Sequence, residues 1–432
     1  MKICVVGLGY VGLTLGVYLA RQGLKVHGID INSKVLNALE NKKAHFYEKD
    51  FDSELVQAID SGLFTFSSDY KWAEIETDTV IYIVTVGTTL GKDGLVNLVP
   101  IQSVSKEIAK VLKENDGVVL RSTVKVGVTR NTVKPILDTV GINYRLAFCP
   151  ERTLEGSAFE ELSTLPQIVA GIDTESLSVV SKLFENLGTE VVSLKSVEAA
   201  EMVKLLNNSE RDLMFALANE IGMMCDAVGV NAYEVINAAN YKYPRSNIKK
   251  PGPVGGPCLE KDPYILTEGF FDTDYVPSLF LAGRKVNESI IKHTINKILK
   301  KIESRQFEKL AILGFAFKGL PPTGDIRGSL VIELIDYIKN IKITNNAIVG
   351  HDYLAENCEM EALGVIVCDS VEEAVKNADL IIIQNNHPNY KNENWVELLK
   401  SSGKSCTIID FWNQLDDVDF GSNVNYYSLG NM

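Results

Sequence analysis

Residues 2–12 of the chain read KICVVGLGYVG, an apolar run that passes directly into glycines spaced as G-x-G-x-x-G. A short, continuously apolar run is typical of a strand buried in a parallel sheet. Residues 13–22 then read as a helix, and Gly23 stands where a helix commonly ends. Residues 25–29 form a second apolar run with Asp30 at its end. This order predicts a dinucleotide-binding βαβ unit at the N-terminus.

The glycine turn and the acid after the second strand predict the cofactor. Glycines permit a tight turn and let a pyrophosphate approach the N-terminus of the following helix. The Asp30 carboxylate would accept hydrogen bonds from the adenosine ribose hydroxyls, which favours NAD over NADP. We therefore expect NAD, with contacts in this region from Gly7, Gly9, Tyr10, Val11, Gly12, Asp30 and Lys34.

Composition narrows the class of protein. The chain has 432 residues, of which 46% are hydrophobic and 23% charged, with a formal net charge of −13. These values are ordinary for a globular protein of two or three domains, and the acidic balance argues against a nucleic-acid or anionic-membrane partner. Seven widely spaced cysteines without a C-x-x-C pair predict a reduced, cytoplasmic protein without a disulfide framework or metal site. The three glycines interrupt the N-terminal apolar run, and no other stretch is long enough to span a bilayer.

Polar residues follow three further predicted strands. The strands at 79–86, 117–121 and 144–148 precede Thr88, Thr123 and Glu151. Ligands of open parallel sheets bind at the carboxyl ends of strands, so these side chains are expected near the cofactor. Each residue alone is equally consistent with an ordinary cap or turn, and their shared position favours a functional role.

The composition changes near residue 197, where helical patterns cover 198–240 and later 278–303. Lys204, Asn208 and Arg211 fall on one helix face. A solvated stripe on an amphipathic helix is the commoner explanation of such a pattern, although a row of donors is unusual beside apolar neighbours. Long apolar helices in the middle of a chain often form a dimer interface, so we expect a homodimer or higher oligomer.

A lone cysteine stands in a glycine-rich loop. Residues 253–262 read PVGGPCLEKD, which places Cys258 between two glycines and the Lys261-Asp262 pair. Glycines leave room for a ligand, and a nearby ammonium favours the reactive thiolate. On this stretch alone, a reactive thiol and a buried structural cysteine remain equally open.

A third unit begins near residue 309. Strands are expected at 310–315, 347–350, 365–368, 380–384 and 406–410, without a second glycine motif. The predicted fold class is α/β, with two Rossmann-like doubly wound domains joined by a central helical domain. The expected boundaries are 1–196 for the NAD-binding domain, 197–304 for the helical domain with the cysteine loop, and 305–432 for the C-terminal domain.

Seven motifs in this order resemble those of the UDP-glucose/GDP-mannose dehydrogenase family over nearly the full length. They are residues 7–12, 122–124, Pro150-Glu151 with Glu155, Lys204 with Asn208, 255–258 with 261–262, 317–318, and 323–327. The resemblance implies NAD-dependent oxidation of the C6 alcohol of a UDP-sugar to a carboxylate, with two NAD⁺ consumed and no aldehyde released. The C-terminal domain would bind the UDP-sugar.

The resemblance also implies roles for individual residues. Cys258 would form a thiohemiacetal and then a thioester, and Lys204 and Asn208 would hold the oxyanion. Glu151 would accept a proton or activate water, with Thr123 and Asp262 positioning that water. Further cofactor contacts would come from Thr88, Thr123, Glu155, Lys261 and Arg327. Substrate contacts would come from Glu151, Arg152, Lys204, Asn208, Arg211, Arg245, Asn247, Gly255, Phe317 and Lys318.

Three stretches resemble the branch of the family that acts on UDP-N-acetylhexosamines: residues 149–153, 208–212 and 244–248. UDP-N-acetylmannosamine is the favoured substrate, with UDP-N-acetylglucosamine and UDP-glucose as alternatives. The chain departs from the family pattern at Thr89 and at Lys125-Val126, where prolines are usual. Near Asp410 it lacks an arginine that some relatives use for the substrate.

Two functions of other classes share part of this sequence pattern. A two-electron hydroxyacid dehydrogenase shares the layout of a Rossmann domain followed by helices, but it needs neither a cysteine nucleophile nor a C-terminal nucleotide domain. A non-catalytic nucleotide-sugar-binding module would not need Glu151, Lys204, Asn208 and Cys258 together.

Overall fold

The computed structural model describes residues 2–302, 306–400 and 405–432. The chain divides into two compact units. The first unit comprises Met1–Asn208 and Tyr264–Val276, and the second comprises Ser209–Pro263 and Pro277–Met432.

The first unit is built on an eight-stranded sheet with the order β3-β2-β1-β4-β5-β6-β7-β8. Its strands are β1 (Lys2–Val6), β2 (Val26–Ile29), β3 (Phe64–Ser67), β4 (Val80–Val84), β5 (Gly117–Leu120), β6 (Arg145–Phe148), β7 (Gln167–Gly171) and β8 (Val191–Ser193). Neighbouring strands are parallel except β6 and β7, which are antiparallel. The strand order reverses at β1, so the loops after β1 and β4 diverge and leave a crevice at the carboxyl edge.

Helices cover the sheet of the first unit. They are α1 (Tyr10–Arg21), α2 (Ser33–Glu40), α3 (Phe51–Asp60), α4 (Lys71–Ile75), α5 (Val99–Val111), α6 (Lys134–Asp138), α7 (Ala158–Thr164) and α8 (Thr174–Glu185), with a π-helical turn at Thr129–Val133. Alternate residues of β1 point to opposite faces of the sheet. Ile3 and Val5 belong to one buried apolar cluster, and Cys4 and Val6 belong to another.

Four helices follow the first sheet along the chain. They are α9 (Val197–Val228), α10 (Ala232–Asn240), α11 (Asp262–Glu268) and α12 (Ser278–Lys301). The helical pattern expected over 198–240 is therefore two helices, because Gly229 adopts a left-handed conformation with φ +75°. Asn231 then caps α10 by accepting hydrogen bonds from the N–H groups of Tyr233 and Glu234. The expected end of the later helix at Glu303 and the expected boundary between 304 and 305 lie outside the described residues.

The second unit contains a six-stranded parallel sheet with the order β11-β10-β9-β12-β13-β14. The strands are β9 (Leu310–Leu313), β10 (Ile348–His351), β11 (Val365–Val367), β12 (Leu380–Ile383), β13 (Cys406–Asp410) and β14 (Val424–Ser428). The helices are α13 (Leu330–Ile341), α14 (Asn357–Ala362), α15 (Val371–Val375), α16 (Pro388–Asn392) and α17 (Trp395–Lys400). The predicted fold class is confirmed, with two Rossmann-like sheets and a helical region between them in the chain. Four strands, β3, β7, β8 and β14, were not anticipated. Within the described ranges, no helix is long and apolar enough to cross a membrane.

Candidate active site

The glycine turn has the geometry that a dinucleotide pyrophosphate requires. Gly7 has φ +94°, and a Cβ on Gly12 would lie 1.8 Å from the Gly7 carbonyl oxygen. Helix α1 begins at Tyr10, inside the motif, so its N-terminal N–H groups are close to the turn. These features fit NAD, and only glycine is compatible with the backbone at Gly7 and Gly12.

Asp30 is held at the carboxyl end of β2. Its Oδ2 accepts a hydrogen bond from the Leu8 N–H at 2.7 Å, and its Oδ1 accepts one from the Asn32 N–H at 2.8 Å. The acid is thereby fixed beside the glycine turn, as an acceptor for ribose hydroxyls must be. Lys34 is exposed in the first turn of α2.

Glu48 was missed by sequence reasoning, although it connects two predicted cofactor segments. The Tyr10 hydroxyl donates to Glu48, and the Gly156 N–H donates to Glu48 Oε2 at 2.9 Å. The Phe159 N–H donates to Glu48 Oε1 at 3.2 Å. This carboxylate therefore ties the start of α1 to the loop that carries Glu155.

The structure brings Thr88 and Thr123 together. The Thr88 hydroxyl donates to the Thr123 carbonyl oxygen at 2.6 Å, which joins the loops that follow β4 and β5. The next residues are held by Glu201, which accepts hydrogen bonds from the Gly127 N–H at 2.6 Å and the Thr129 N–H at 2.8 Å. Glu201 is fully buried on α9, so the loop after β5 is anchored to that helix.

Lys125, one of the departures from the family pattern, forms a specific contact. Its ammonium lies 2.6 Å from Glu268 Oε1 on α11, and Glu268 Oε2 accepts the Val96 N–H at 2.6 Å. An ion pair thus restrains the loop that follows β5.

Glu151 is buried at the end of β6 and contacts a buried arginine. Arg121 Nε and Nη2 donate to Glu151 Oε2 at 2.9 and 2.7 Å. Burial alone would raise the pKa of Glu151, but the Arg121 charge, the Thr153 N–H and the Lys204 charge together hold that pKa below its ordinary value. Glu151 and Lys204 are therefore within electrostatic reach of each other.

The polar stripe on α9 is not uniformly solvated. Lys204 is buried, Asn208 is partly buried, and Arg211 is exposed. A buried ammonium is unusual unless it meets a partner or a ligand, so burial of Lys204 argues against the solvated-stripe explanation at that position.

In the second unit, the thiol of Cys258 is exposed. This finding excludes the interpretation of a buried structural cysteine. The chain turns immediately afterwards, because the Cys258 carbonyl accepts hydrogen bonds from the N–H groups of Lys261 at 3.3 Å and Asp262 at 3.0 Å. The Lys261 ammonium lies 2.8 Å from Asp262 Oδ1. Burial would lower the pKa of Lys261, but the charges of Asp262 and Cys258 raise it, so the ammonium stays charged.

A buried polar network holds the backbone of the cysteine loop. Arg284 Nη2 donates to the Val254 carbonyl and Nη1 to the Leu259 carbonyl, both at 3.2 Å. Arg284 also pairs with Asp212 at 2.6 Å. Sequence reasoning missed this pair. One signal for it was available in the sequence, because the charged Arg284 lies on the face of α12 that also carries Gly283, Asn287 and Ile291.

The cysteine loop packs against the first loop of the C-terminal sheet. The Gly256 N–H donates to the Gly328 carbonyl at 2.7 Å, and a Cβ on Gly256 would lie 2.4 Å from the Phe317 ring. The Lys318 ammonium lies 5.4 Å from the Phe317 ring centroid. The described polar contacts of Arg327 include Asp325, with its Nε 2.9 Å from both carboxylate oxygens. The second unit therefore gathers Cys258, Gly255, Phe317 and Lys318 in one region, with cations suited to an anionic substrate.

Arg245 and Asn247 lie in the exposed loop after α10. The Arg245 guanidinium lies 4.4 Å from the Tyr243 ring centroid, and Asn247 Oδ1 accepts from Lys249 at 3.3 Å. The loop is ordered by Asn240, whose Oδ1 accepts the Ile248 N–H at 2.9 Å. The described contacts of Arg245 and Asn247 are thus local to this loop. Arg152 lies beside Glu151, and its side chain donates to the Pro166 carbonyl at 2.5 Å.

Comparison with known proteins places these residues in context. Three models of the UDP-glucose/GDP-mannose dehydrogenase family match the chain: the NAD binding domain at residues 1–188, the central domain at 198–289 and the UDP binding domain at 311–417. A UDP-N-acetyl-D-mannosamine dehydrogenase of Methanocaldococcus jannaschii is 32% identical, covering 96% of this chain and 93% of the relative. A protein of the same name from Pyrococcus horikoshii is 30% identical, covering 98% and 97%.

Two solved structures are similar over the full length. The UDP-D-ManNAc dehydrogenase structure from Pyrococcus horikoshii has a TM-score of 0.86 at 29% identity, covering 100% of this chain and 99% of that chain. The UDP-N-acetyl-mannosamine dehydrogenase of Staphylococcus aureus has a TM-score of 0.85 at 26% identity, covering 100% and 98%.

Proposed function

Because this chain belongs to the UDP-glucose/GDP-mannose dehydrogenase family, we propose that it oxidises the C6 hydroxyl of UDP-N-acetyl-D-mannosamine to the carboxylate. The choice of sugar rests on relatives that are named for that substrate. They are about 30% identical to this chain over nearly its whole length. The proposed net reaction converts the alcohol, one water and two NAD⁺ into the carboxylate, two NADH and three protons.

The enzyme is an NAD-dependent dehydrogenase, and bound NAD⁺ supplies the hydride acceptor for each oxidation. The residues that would hold the cofactor are the turn from Gly7 to Gly12 and Asp30, with the loops of Thr88, Thr123 and Glu155. The turn at Gly12 would be blocked by any side chain, and the Asp30 carboxylate is already oriented by the Leu8 N–H.

We assign the acyl chemistry to Cys258. Its thiolate would attack C6 of the enzyme-bound aldehyde, forming a C–S bond while the carbonyl electron pair moves to oxygen. Lys204 and Asn208 would stabilise that oxyanion. After the second oxidation, water would add to the thioester, and the C–S bond would break to return the thiolate. The exposure of Cys258 and the charged Lys261 beside it support this assignment.

We propose that UDP is bound by the loop of Phe317 and Lys318, which packs on Gly256. Asp262, at the start of α11 directly after the cysteine loop, would position the attacking water together with Thr123. Arg327 and Lys261 would complete the cofactor contacts, and Arg211, Arg245 and Asn247 would contact the sugar or diphosphate.

The function is tested with a panel of UDP-sugars and NAD⁺. UDP-N-acetylmannosamine, UDP-N-acetylglucosamine and UDP-glucose are each mixed with the enzyme, and NADH and sugar acid are quantified. We expect the first sugar to have the highest kcat/KM and to give two NADH per acid. One NADH per turnover would contradict the four-electron scheme. A higher kcat/KM with another sugar would show that the other sugar is the substrate.

The thioester route is tested by Cys258→Ala, with Cys358→Ala as the matched control because that thiol is also exposed. We expect Cys258→Ala to abolish acid formation and Cys358→Ala to retain it. Full acid production by Cys258→Ala would refute the route.

We also propose that the protein forms a homodimer. Leu217, Met224 and Val228 lie on one side of α9 with exposed fractions of 53%, 62% and 74%. Apolar side chains repeated on one helix face support association with a second copy of this chain. Analytical ultracentrifugation is expected to give a dimer for the wild type and a shift to monomer for Met224→Glu. A monomeric wild type, or an equal shift in the exposed control Asn237→Glu, would contradict this interface.

A further inference from the structure

Arg121 is a charged side chain buried at the end of β5, with 2% of its surface exposed. Its guanidinium contacts the segment after β6 and the start of β7. Two donors reach Glu151 after β6, and Nη1 donates to the Cys149 carbonyl at 3.3 Å and to Gln167 Oε1, at the start of β7, at 3.0 Å. An arginine this deeply buried is retained only where its donors are satisfied.

Both oxygens of Glu151 are fully engaged by protein donors. Oε2 accepts from Arg121 Nε and Nη2, whereas Oε1 accepts from the Arg152 N–H at 2.7 Å and the Thr153 N–H at 2.8 Å. An ionised carboxylate offers about four acceptor positions, so these contacts fix both oxygens of Glu151 in one orientation.

The charged and titratable groups around Glu151 come from several elements. They are Arg121 after β5, Cys149 in the segment after β6, and Lys204 on α9. Burial raises the pKa of the Cys149 thiol to about 11, so that thiol is neutral. Two charges in the described part of the chain, those of Arg121 and Lys204, act on Glu151, and both are positive.

We propose that Arg121 is a positioning residue for the sugar oxidation, holding Glu151 as a permanent anion of fixed orientation in the neighbourhood of Lys204. This inference rests on the proposed function, because it gives Glu151 a place in that reaction. It also revises the role of Glu151. In this arrangement the carboxylate acts through its negative charge and not as a general base, because each of its oxygens already accepts two hydrogen bonds from the protein.

The first test needs no substrate. The protonated carboxyl of Glu151 is followed by its infrared C=O band, identified by its loss in Glu151→Gln, while the pH is changed. Arg121→Met is compared with the wild type and with Arg130→Met, which removes the exposed partner of Glu198. We expect the band to appear at a pH higher by about one unit or more in Arg121→Met, since burial is then uncompensated. An unchanged titration would overturn the proposal.

The second test is the pH dependence of kcat with UDP-N-acetylmannosamine and NAD⁺. In Arg121→Met we expect the acid limb of the pH profile to move to higher pH. Below the pKa of that limb, kcat should fall roughly tenfold per pH unit. The KM for NAD⁺ should not change. Arg121→Lys restores the charge and is expected to return the limb toward that of the wild type. A loss of kcat that is equal at every pH would indicate a merely structural role and would overturn the proposal.

Arg121→Gln covers the case in which Arg121→Met does not fold, because it keeps a hydrogen-bond donor and removes only the charge. It is expected to shift both the infrared titration and the acid limb upward, and wild-type behaviour in it would also overturn the proposal. The two hypotheses fail separately. If the wild type oxidises no UDP-sugar, the proposed function fails, while the infrared titration still decides whether Arg121 holds Glu151 ionised.

Discussion

Arg284 and Asp212 form an ion pair with 2.6 Å between Nη1 and Oδ1, and each side chain is only 1% exposed. The same guanidinium holds the Val254 and Leu259 carbonyls on either side of Cys258. The conformation of an exposed thiol loop therefore depends on a charge pair in the interior of the second unit.

Arg284→Met is expected to lower the free energy of unfolding by about 3–5 kcal/mol, because it leaves Asp212 buried without its partner charge. Urea unfolding measures this loss. The neighbouring exposed Lys285→Met is the control and should change stability by less than about 0.5 kcal/mol. The double variant Arg284→Met/Asp212→Leu should lose less than Arg284→Met alone. Equal losses for Arg284→Met and Lys285→Met would show that the pair does not support the fold.

Gly256→Ala is expected to destabilise the second unit and weaken UDP binding. Gly256 has φ +98°, and an added Cβ would lie 2.4 Å from the Phe317 ring. The left-handed backbone alone costs about 1–2 kcal/mol for a non-glycine residue, and displacement of Phe317 adds to it. Gly421→Ala is the control, because Gly421 has φ +67° with open space around it. Calorimetry of UDP binding should show a weaker affinity in Gly256→Ala only; the same affinity in both variants would disprove the link to Phe317.

Asp30→Ala is expected to raise the KM for NAD⁺ by roughly tenfold or more and to reduce the preference for NAD⁺ over NADP⁺. The carboxylate provides charged acceptors beside the glycine turn, and hydrogen bonds to charged groups contribute about 1.5–3 kcal/mol. Initial rates with each cofactor measure the change. Asp60→Ala, on the exposed end of α3, should behave as the wild type. A variant at Asp30 that keeps its NAD⁺ affinity and selectivity would remove this residue from the cofactor site.

His27 is expected to make stability fall in acid. It is buried between Thr65 and Ser67, with 2.9 Å from each ring nitrogen to a hydroxyl, and it stacks on Trp72. Burial lowers the pKa of His27 from 6.5 to about 4, although Asp69 opposes the shift. Because the folded-state pKa is depressed, the stabilisation is fully present above pH 6.5 and is lost as the pH falls toward 4, by up to about 3 kcal/mol.

The measurement is urea unfolding of wild type and His27→Gln between pH 7 and about pH 4. The variant should lose much of the pH dependence, and His45→Gln, at an exposed position, should retain it. Parallel pH profiles for wild type and His27→Gln would contradict the prediction.

Secondary structure was predictable wherever one periodicity dominated. β13 was predicted at its observed bounds, 406–410, because a short apolar run between turn residues is typical of a strand buried in a parallel sheet. The break between α9 and α10 was missed because a single Gly229 in a helical pattern is often tolerated, and only its φ of +75° shows that it ends the helix. α1 begins earlier than expected, since the glycine turn itself supplies the first helical residues.

The residues of the candidate site were predictable where a local motif carries the chemistry. The glycine turn and Asp30 are recognisable from their immediate neighbours. The loop of Cys258 left a reactive and a structural thiol equally open, and the exposure of Cys258 agrees with the reactive interpretation. Arg121, Glu48 and Glu201 were not found, because their partners lie 30, 108 and 74 residues away along the chain.

The α/β class and the use of NAD could be predicted from the sequence, because the strand, glycine turn, helix and acid that indicate them lie close together in the chain. Cys258 became the candidate nucleophile only through the order of seven motifs along the whole chain, since its own loop left the role of the thiol open. The tertiary structure alone decided which charges meet in the interior. Arg121 with Glu151 and Arg284 with Asp212 are brought together by sheet order and helix packing. A buried charge is stable only beside its partner, so these long-range pairs fix the orientation of the segments that carry Glu151 and Cys258.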